Sequence, residues 1–265
     1  MSRRLRLGVF AAGAGGTAVL FLLAVLDMPP FGSRFHPYRN HSVPAALAHA
    51  TANVVSSVNF DQRGMDTLAE ESILLASVVV VATLLRKTDD EEWRKEKRGR
   101  VLDSTLLMGW ILLPYTLLLG FDVVAHGHLT PGGGFQGGVV LGTGIHLLYV
   151  AGRYDMLRRV RPIRPFEWGE AIGTGAFACL GVAGVLVTGA FLANVVPRGT
   201  FGTLLSAGTV PILNGAVGVE VASGVVVLVS AFLDQAIGLE TAPAGGSAKG
   251  SGAGNGRSAE GGGNR

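Results

Sequence analysis

Cysteine, charged residues and aromatic residues are all scarce in this sequence of 265 residues. The single cysteine, Cys179, lies inside an apolar run, which excludes a disulfide framework and disfavours a thiol catalyst. Only 15% of the residues are charged, against about 25% in an ordinary soluble domain. The chain therefore lacks the polar surface of a soluble protein of this size, and the composition indicates an all-α, polytopic membrane protein.

A basic face of the kind that binds nucleic acid is also absent, because the Lys and Arg residues flank apolar runs. Six of these runs are long enough to cross a hydrocarbon core of about 30 Å: residues 7–26, 67–85, 103–125, 134–150, 168–196 and 209–233. The first run resembles a secretory signal but lacks a small-residue cleavage site, so we interpret it as a permanent helix. The fourth run is short, and its Gly-rich start predicts irregular backbone there.

The basic residues also predict the orientation of the chain. Eighteen of the 22 Lys and Arg residues lie in segments that share one side with the N-terminus, and four lie on the other side. Because Lys and Arg concentrate in cytoplasmic loops, both termini are predicted to be cytoplasmic. The sequence thus predicts a multi-pass protein of the cell membrane.

Changes in composition divide the chain into modules. Residues 1–88 form a two-helix module, residues 89–100 a mixed-charge cytoplasmic linker, and residues 101–238 a four-helix domain. Residues 239–265 are rich in Gly and Ser and are predicted to be a disordered tail. In the long outer segment, valines at helical spacing predict a short interfacial or re-entrant helix within residues 45–60.

Polar residues inside the predicted spans are costly in lipid and each needs an explanation. Glu220 lies near the middle of the sixth span, where it either lines a cation or proton path or pairs with a neighbouring helix or another protein of a complex. Asp122 ends the third span, where negative charge is disfavoured, so a partner such as His126 must hold it. Carboxylates at the starts of spans, including Asp103, Glu167 and part of the Glu70 and Glu71 pair, are explained by the helix dipole.

The histidines indicate neither a metal site nor a haem. His126 and His128 form an H-x-H pair that lacks further ligands, and His146 alone lies well inside a span. We expect His146 to be a hydrogen-bonded core residue, with a proton relay as the alternative. No metal or other cofactor is predicted.

The strongest local anomaly is a Gly-rich run before the fourth span. It is either a broken-helix start of the kind found at transporter sites or a tight turn that leads into a small-residue packing face. It lacks the lysine and the preceding strand of the phosphate-binding loops. Its residues are Pro131, Gly132, Gly133, Gly134, Phe135, Gln136, Gly137 and Gly138.

Residues 127–138, set between two spans of the four-helix domain, resemble the B subunit of multisubunit cation:proton antiporters of the Mrp or Mnh type. Residues 59–70 resemble the DFRGFDTLGE segment near the end of the large A-type component of the same complexes, with Met65 and Ala69 as departures. The chain thus looks like a piece of the A-type tail fused to a B-type component.

This resemblance implies a secondary-transporter component, not an enzyme, in a complex that exchanges Na⁺ (or Li⁺ or K⁺) for H⁺. The implied partners are subunits of the A, C, D, E, F and G types, the two ions and the lipid bilayer. Asp66 and Glu70 match acidic residues implicated in translocation, so we predict that they and Glu220 line an ion path, with Asp122 and His146 as further candidates. The alternative is a purely structural scaffold in a membrane arm related to that of complex I or of hydrogenases.

Overall fold

The computed structural model describes residues 3–28, 32, 34, 36–85, 102–151 and 163–240, and in these ranges the regular structure is helical throughout. The all-α prediction is therefore confirmed. The helices are α1 (Arg3–Leu26), α2 (Pro37–Ala48), α3 (Val54–Ser57), a π-helical turn (Val58–Gln62), α4 (Gly64–Leu84), α5 (Asp103–Ala125), α6 (Gly134–Ala151), α7 (Ile163–Thr188) and α8 (Val210–Glu240).

Within these ranges, five helices are long and apolar enough to cross a membrane: α1, α4, α5, α7 and α8. The short fourth predicted span is α6, which has 18 residues. The fifth was predicted to reach residue 196, and this was wrong because α7 ends at Thr188. Gly189 follows with φ of 80° and donates its N–H to the Val185 carbonyl at 2.9 Å, a glycine-dependent helix end.

The long outer segment contains the predicted short helix, but as separate pieces. Pro37 begins α2, where its missing N–H is harmless. Ala50 has φ of 55° and breaks the chain direction after α2. Asn53 then starts α3, its side chain accepting hydrogen bonds from the N–H groups of Val55 and Ser56. Residues 45–60 therefore form one interrupted element and not a single helix.

Helix α8 is the centre of the fold. It packs against α4, α6 and α7, while α5 packs mainly on α6. More than half of its apolar span is buried, whereas no residue of α1 is buried. The buried apolar cluster around α8 consists of Phe60, Phe177, Leu192, Ala207, Val210, Leu213, Val217 and Val221.

Small residues allow α6 to lie directly on α8. A Cβ added to Gly138 would stand 2.8 Å from the Val221 Cβ and 2.9 Å from the Gly218 carbonyl oxygen, so only glycine fits. One turn further, a Cβ on Gly142 would stand 3.1 Å from the Ala222 carbonyl oxygen. The predicted packing face of Gly218 and Ala222 is thus confirmed as the surface that receives α6.

Two predicted segments fall largely outside the described residues. The linker at 89–100 lies outside them, as does the tail beyond Glu240. Helix α8 extends to Glu240, just past the predicted start of the tail. The division into modules stays a prediction.

Candidate functional site

Three glutamates from three helices meet inside the helix bundle. Glu71 of α4, Glu170 of α7 and Glu220 of α8 are 2%, 3% and 0% exposed. Glu220 lies within electrostatic range of both of the others. No Lys or Arg occurs in residues 64–84, 165–188 or 210–240, so these helix segments supply no fixed positive charge to balance them. We call these three residues the carboxylate cluster.

Glycines on the facing helices create the space for this cluster. A Cβ on Gly173 would stand 2.6 Å from the Glu220 Cβ, so α7 and α8 cross in close contact at this point. A Cβ on Gly224 would stand 3.3 Å from Glu170 Oε1, so the glycine leaves room for that carboxylate. The cluster therefore depends on small residues as much as on the acidic ones.

The carboxylate oxygens are poorly satisfied by protein donors. Among the described residues, Glu71 Oε2, Glu170 Oε1 and both oxygens of Glu220 lack a partner in hydrogen-bond geometry, although Glu220 lies in reach of Thr174. The Thr174 hydroxyl instead donates to the backbone carbonyl of Glu170 at 3.1 Å. Buried acceptors without donors are unfavourable unless a proton, a water molecule or an ion satisfies them.

A cavity of about 230 Å³ leads to this cluster from the side of the Gly-rich run. Its rim carries the exposed residues Asn59, Glu70 and Gln136, and its floor the buried residues Ser56, Thr67 and Glu71. Gly132, Gly133 and Gly134 form part of its wall. The cavity therefore joins the upstream module, the Gly-rich run and α8 in one polar space.

The Gly-rich run has a conformation that requires glycine. Gly132 and Gly133 have φ of 143° and 142°, and the next residue begins α6. The Gly134 N–H donates to Asn214 Oδ1 at 2.8 Å, and the Asn214 amide donates to Ser56 Oγ at 3.1 Å. Both predicted alternatives thus apply, since an irregular backbone start leads into a small-residue packing face.

Asn53 ties the upstream module to the same run. Its side-chain amide donates to the carbonyl oxygens of Gly127 and Thr130, each at 2.8 Å. Its backbone N–H donates to the His128 carbonyl at 3.0 Å. His128 is itself buried, with Nε2 at 3.3 Å from the Thr203 carbonyl, and burial lowers the pKa of its imidazole.

The structure brings only part of the predicted ion path together. Glu220 belongs to the carboxylate cluster, and Glu70 lies at the rim of the cavity. Asp66 is exposed and pairs with Arg63 at the start of α4. Asp66 and Glu70 therefore lie outside the buried cluster, on the side of the cavity mouth.

The other two candidates lie apart from the cluster. Asp122 Oδ1 is 2.9 Å from His126 Nδ1, which confirms the predicted partner, and the Asp122 side chain is exposed. His146 Nε2 lies 3.3 Å from the Val225 carbonyl oxygen, as expected of a core histidine that bonds to the backbone. Neither residue lines the cavity.

Sequence reasoning missed Glu71 and Glu170, which it treated as residues at helix ends. A signal was present in the spacing. Thr67, Glu71, Leu74 and Val78 share one inward stripe of α4, and Glu170, Gly173, Phe177 and Leu180 share one of α7. A carboxylate in register with such a stripe faces the protein, not solvent.

Five apolar helices and a buried polar centre define a multi-pass protein of the cell membrane. Residues 105–227 match a family model described as a domain related to the MnhB subunit of the Na⁺/H⁺ antiporter. The chain belongs to the MnhB family. The match covers α5, α6, α7 and most of α8, which is the predicted four-helix domain.

Relatives extend the similarity beyond this domain. An uncharacterized protein of Methanocaldococcus jannaschii is 31% identical over 231 residues, 79% of this chain and 84% of the relative. A protein of Rhizobium meliloti, described as a probable K⁺/H⁺ antiporter component of the fused A/B type, is 29% identical over 194 residues, which are 63% of this chain and 18% of that protein.

Two solved structures share the fold. A chain of the membrane-bound sulfane sulfur reductase, an archaeal respiratory membrane complex, has a TM-score of 0.68 and 28% identity, covering 85% of this chain and 97% of that chain. A chain of the Mrp complex from Dietzia sp. DQ12-45-1b has a TM-score of 0.64 and 26% identity, covering 87% of this chain and 26% of that chain.

Proposed function

We propose that this chain is a membrane component of a multisubunit Na⁺/H⁺ antiporter and that its carboxylate cluster takes part in moving cations and protons. The observation that carries the proposal is the burial of Glu71, Glu170 and Glu220 beside one another in a membrane bundle. Ionisable groups at such positions mark ion and proton paths by default. Membership of the MnhB family supports the same function.

The absence of fixed positive charge beside the cluster is what favours a mobile ion. Three ionised carboxylates cannot remain together in a low-dielectric interior without compensation. With no Lys or Arg in the helix segments that carry them, the compensating charge must be bound protons or cations. Both are exchangeable, as an antiporter requires.

The cluster also descends through the bundle. Gly224 stands opposite both Val78 and Glu170. At a rise of about 1.5 Å per residue, Glu71 lies about 10 Å before Val78 and Glu220 about 6 Å before Gly224, each nearer the Gly-rich run. The order from the cavity inward is therefore Glu71, Glu220 and Glu170. We place Asp66 and Glu70 at the outer end of this series, where they supply ions to the cavity.

Ion exchange by the whole complex in proteoliposomes tests the function. We expect Glu220→Gln to abolish Na⁺-dependent proton movement across the vesicle membrane, because the neutral amide can neither release a proton nor balance a cation. Glu167→Gln, which changes an exposed carboxylate of the same helix as Glu170, is the matched control and should retain exchange. Full exchange by an assembled Glu220→Gln complex would refute the role of the cluster.

A structural scaffold in a redox-driven membrane complex is the second candidate. It is favoured by one observation, namely that the match to the sulfane sulfur reductase complex spans nearly the whole of that chain. Partners captured with a tagged copy from native membranes discriminate the two. Antiporter components support the first function, whereas a redox module together with unaffected Glu220→Gln activity supports the second.

A further inference from the structure

The cavity between α3, α4 and the Gly-rich run has the composition of a cation site. Six residues that line it carry side-chain oxygen: Ser56, Asn59, Thr67, Glu70, Glu71 and Gln136. They come from three separate parts of the chain, which the fold brings together. No His or Cys lines the cavity, so its chemistry suits a hard cation that prefers oxygen ligands.

The floor of the cavity holds an acceptor that the protein leaves unsatisfied. Glu71 is 2% exposed, and its Oε2 has no hydrogen-bond partner among the described residues. An ionised carboxylate left in this state is expensive to bury. A bound cation at the floor would satisfy the oxygen and cancel the charge.

The two hydroxyl groups of the floor are oriented to accept, not to donate, toward such an ion. Thr67 Oγ1 donates its one proton to the Asn59 carbonyl at 2.6 Å, so only lone pairs remain to face the cavity. Ser56 Oγ already accepts one hydrogen bond, from the Asn214 amide, and keeps a second lone pair. Neutral oxygens of this kind replace part of the hydration shell of an alkali cation.

Charge balance selects the valence of the ion. One buried carboxylate, Glu71, neutralises one positive charge, whereas Glu70 is exposed at the rim and is balanced by solvent. A divalent ion at the floor would leave one uncompensated charge in the interior. The volume of about 230 Å³ leaves room for an ion that keeps several of its waters.

We propose that this cavity binds a partly hydrated alkali-metal cation, with Glu71 as the anionic ligand and the hydroxyls of Ser56 and Thr67 as neutral ligands. The inference rests on the proposed function, for which it supplies the position where the cation leaves water. From this position the ion lies next to Glu220 and can exchange with a proton held there. Glu71, and not its exposed neighbour Glu70, is the residue that defines the site.

Direct binding measurements on the purified complex test the site without reference to transport. Equilibrium binding of ²²Na⁺, with competition by KCl, MgCl₂ and choline chloride at equal ionic strength, is compared between the unmodified complex and Glu71→Gln. We expect Glu71→Gln to lose one bound ion per copy of this chain and Glu167→Gln to lose none. Thr67→Val should weaken binding, and Thr67→Ser should restore it.

The Thr67 pair keeps the proposal falsifiable even if Glu71→Gln does not assemble. Unchanged ²²Na⁺ binding in Glu71→Gln, or in Thr67→Val, would overturn the site, as would displacement of the ion by Mg²⁺ but not by K⁺. Ion exchange without Glu71-dependent binding would refute the site and leave the transport function standing. Glu71-dependent binding without any exchange would do the reverse.

Discussion

Helices α1 and α8 are both apolar and both long enough to cross a membrane, yet they lie in opposite environments. No residue of α1 is buried, and a Cβ on any of its four glycines would meet open space. Helix α8 is enclosed by α4, α6 and α7. Apolar character alone therefore does not show which spans form the interior of a membrane protein.

Polar residues make the distinction that hydropathy cannot. Helix α8 buries Asn214, Glu220, Ser223 and Ser230. Within residues 7–26 of α1 the one polar side chain is Thr17, which donates to the carbonyl of Gly13 on its own helix at 2.9 Å. Because lipid offers no partners to polar groups, residues of this kind indicate the helix that other protein surrounds. Three further experiments probe this contrast.

The largest difference is expected for matched Phe substitutions. Phe177 of α7 is fully buried against the α8 cluster, its ring centroid 6.2 Å from that of Phe60, whereas Phe21 of α1 is 69% exposed. Phe177→Ala should cost about 2–3 kcal/mol, less than in a soluble core because the separated helices stay in lipid. Phe21→Ala should fall within about 0.5 kcal/mol of the unmodified chain.

Thermal unfolding of the purified complex, followed by tryptophan fluorescence, measures both variants. Equal losses for Phe177→Ala and Phe21→Ala would show that α1 is as enclosed as α7 in the assembled complex, and the contrast between α1 and α8 would then not hold there.

Matched Gly substitutions are expected to differ by less. A methyl group at Gly138 would clash with Val221 and the Gly218 carbonyl of α8, so Gly138→Ala should cost about 1–3 kcal/mol. Gly15 of α1 has open space around it, so Gly15→Ala should be neutral or slightly stabilising. The yield and melting temperature of the assembled complex report both effects. A tolerated Gly138→Ala would mean that α6 and α8 are further apart than the contacts of Gly138 imply.

The smallest effect concerns acid sensitivity near the start of α8. Because burial lowers the pKa of His128, the unfolded chain binds a proton near the ordinary value of 6.5 while the folded chain does not. Stability should therefore fall as the pH drops below about 6.5 and level off once the folded chain also binds the proton. His128→Gln should flatten this dependence in melting curves between about pH 7.5 and 5.5. The exposed His41 is the control, and an identical flattening by His41→Gln would contradict the assignment.

The sequence predicted the helices well and the interior only in part. Long apolar runs, Gly189 and Asn53 specify where helices begin and end through local rules that need no tertiary contact. Asp122 and His126 were paired correctly because the two residues are one turn apart on the same helix. Glu220 was identified because it lies far from both ends of its span.

Glu71 and Glu170 show where sequence reasoning failed. Both lie close enough to helix ends to be explained by the helix dipole, and the choice between Glu70 and Glu71 depends on a rotation of about 100° around α4. Only the packing of α4 against α8 settles which of the two adjacent carboxylates faces inward.

By itself, the sequence determined a multi-pass helical membrane protein of the MnhB type, because helix formation, membrane length and the Gly-rich run are all local properties of the chain. The tertiary structure decided that Glu71, Glu170 and Glu220 meet beside a polar cavity. Residues 71 and 220 are remote in sequence, and their contact arises from a helix crossing that glycines on facing helices allow. Proximity of this kind depends on packing between helices, which no periodicity within a single helix encodes.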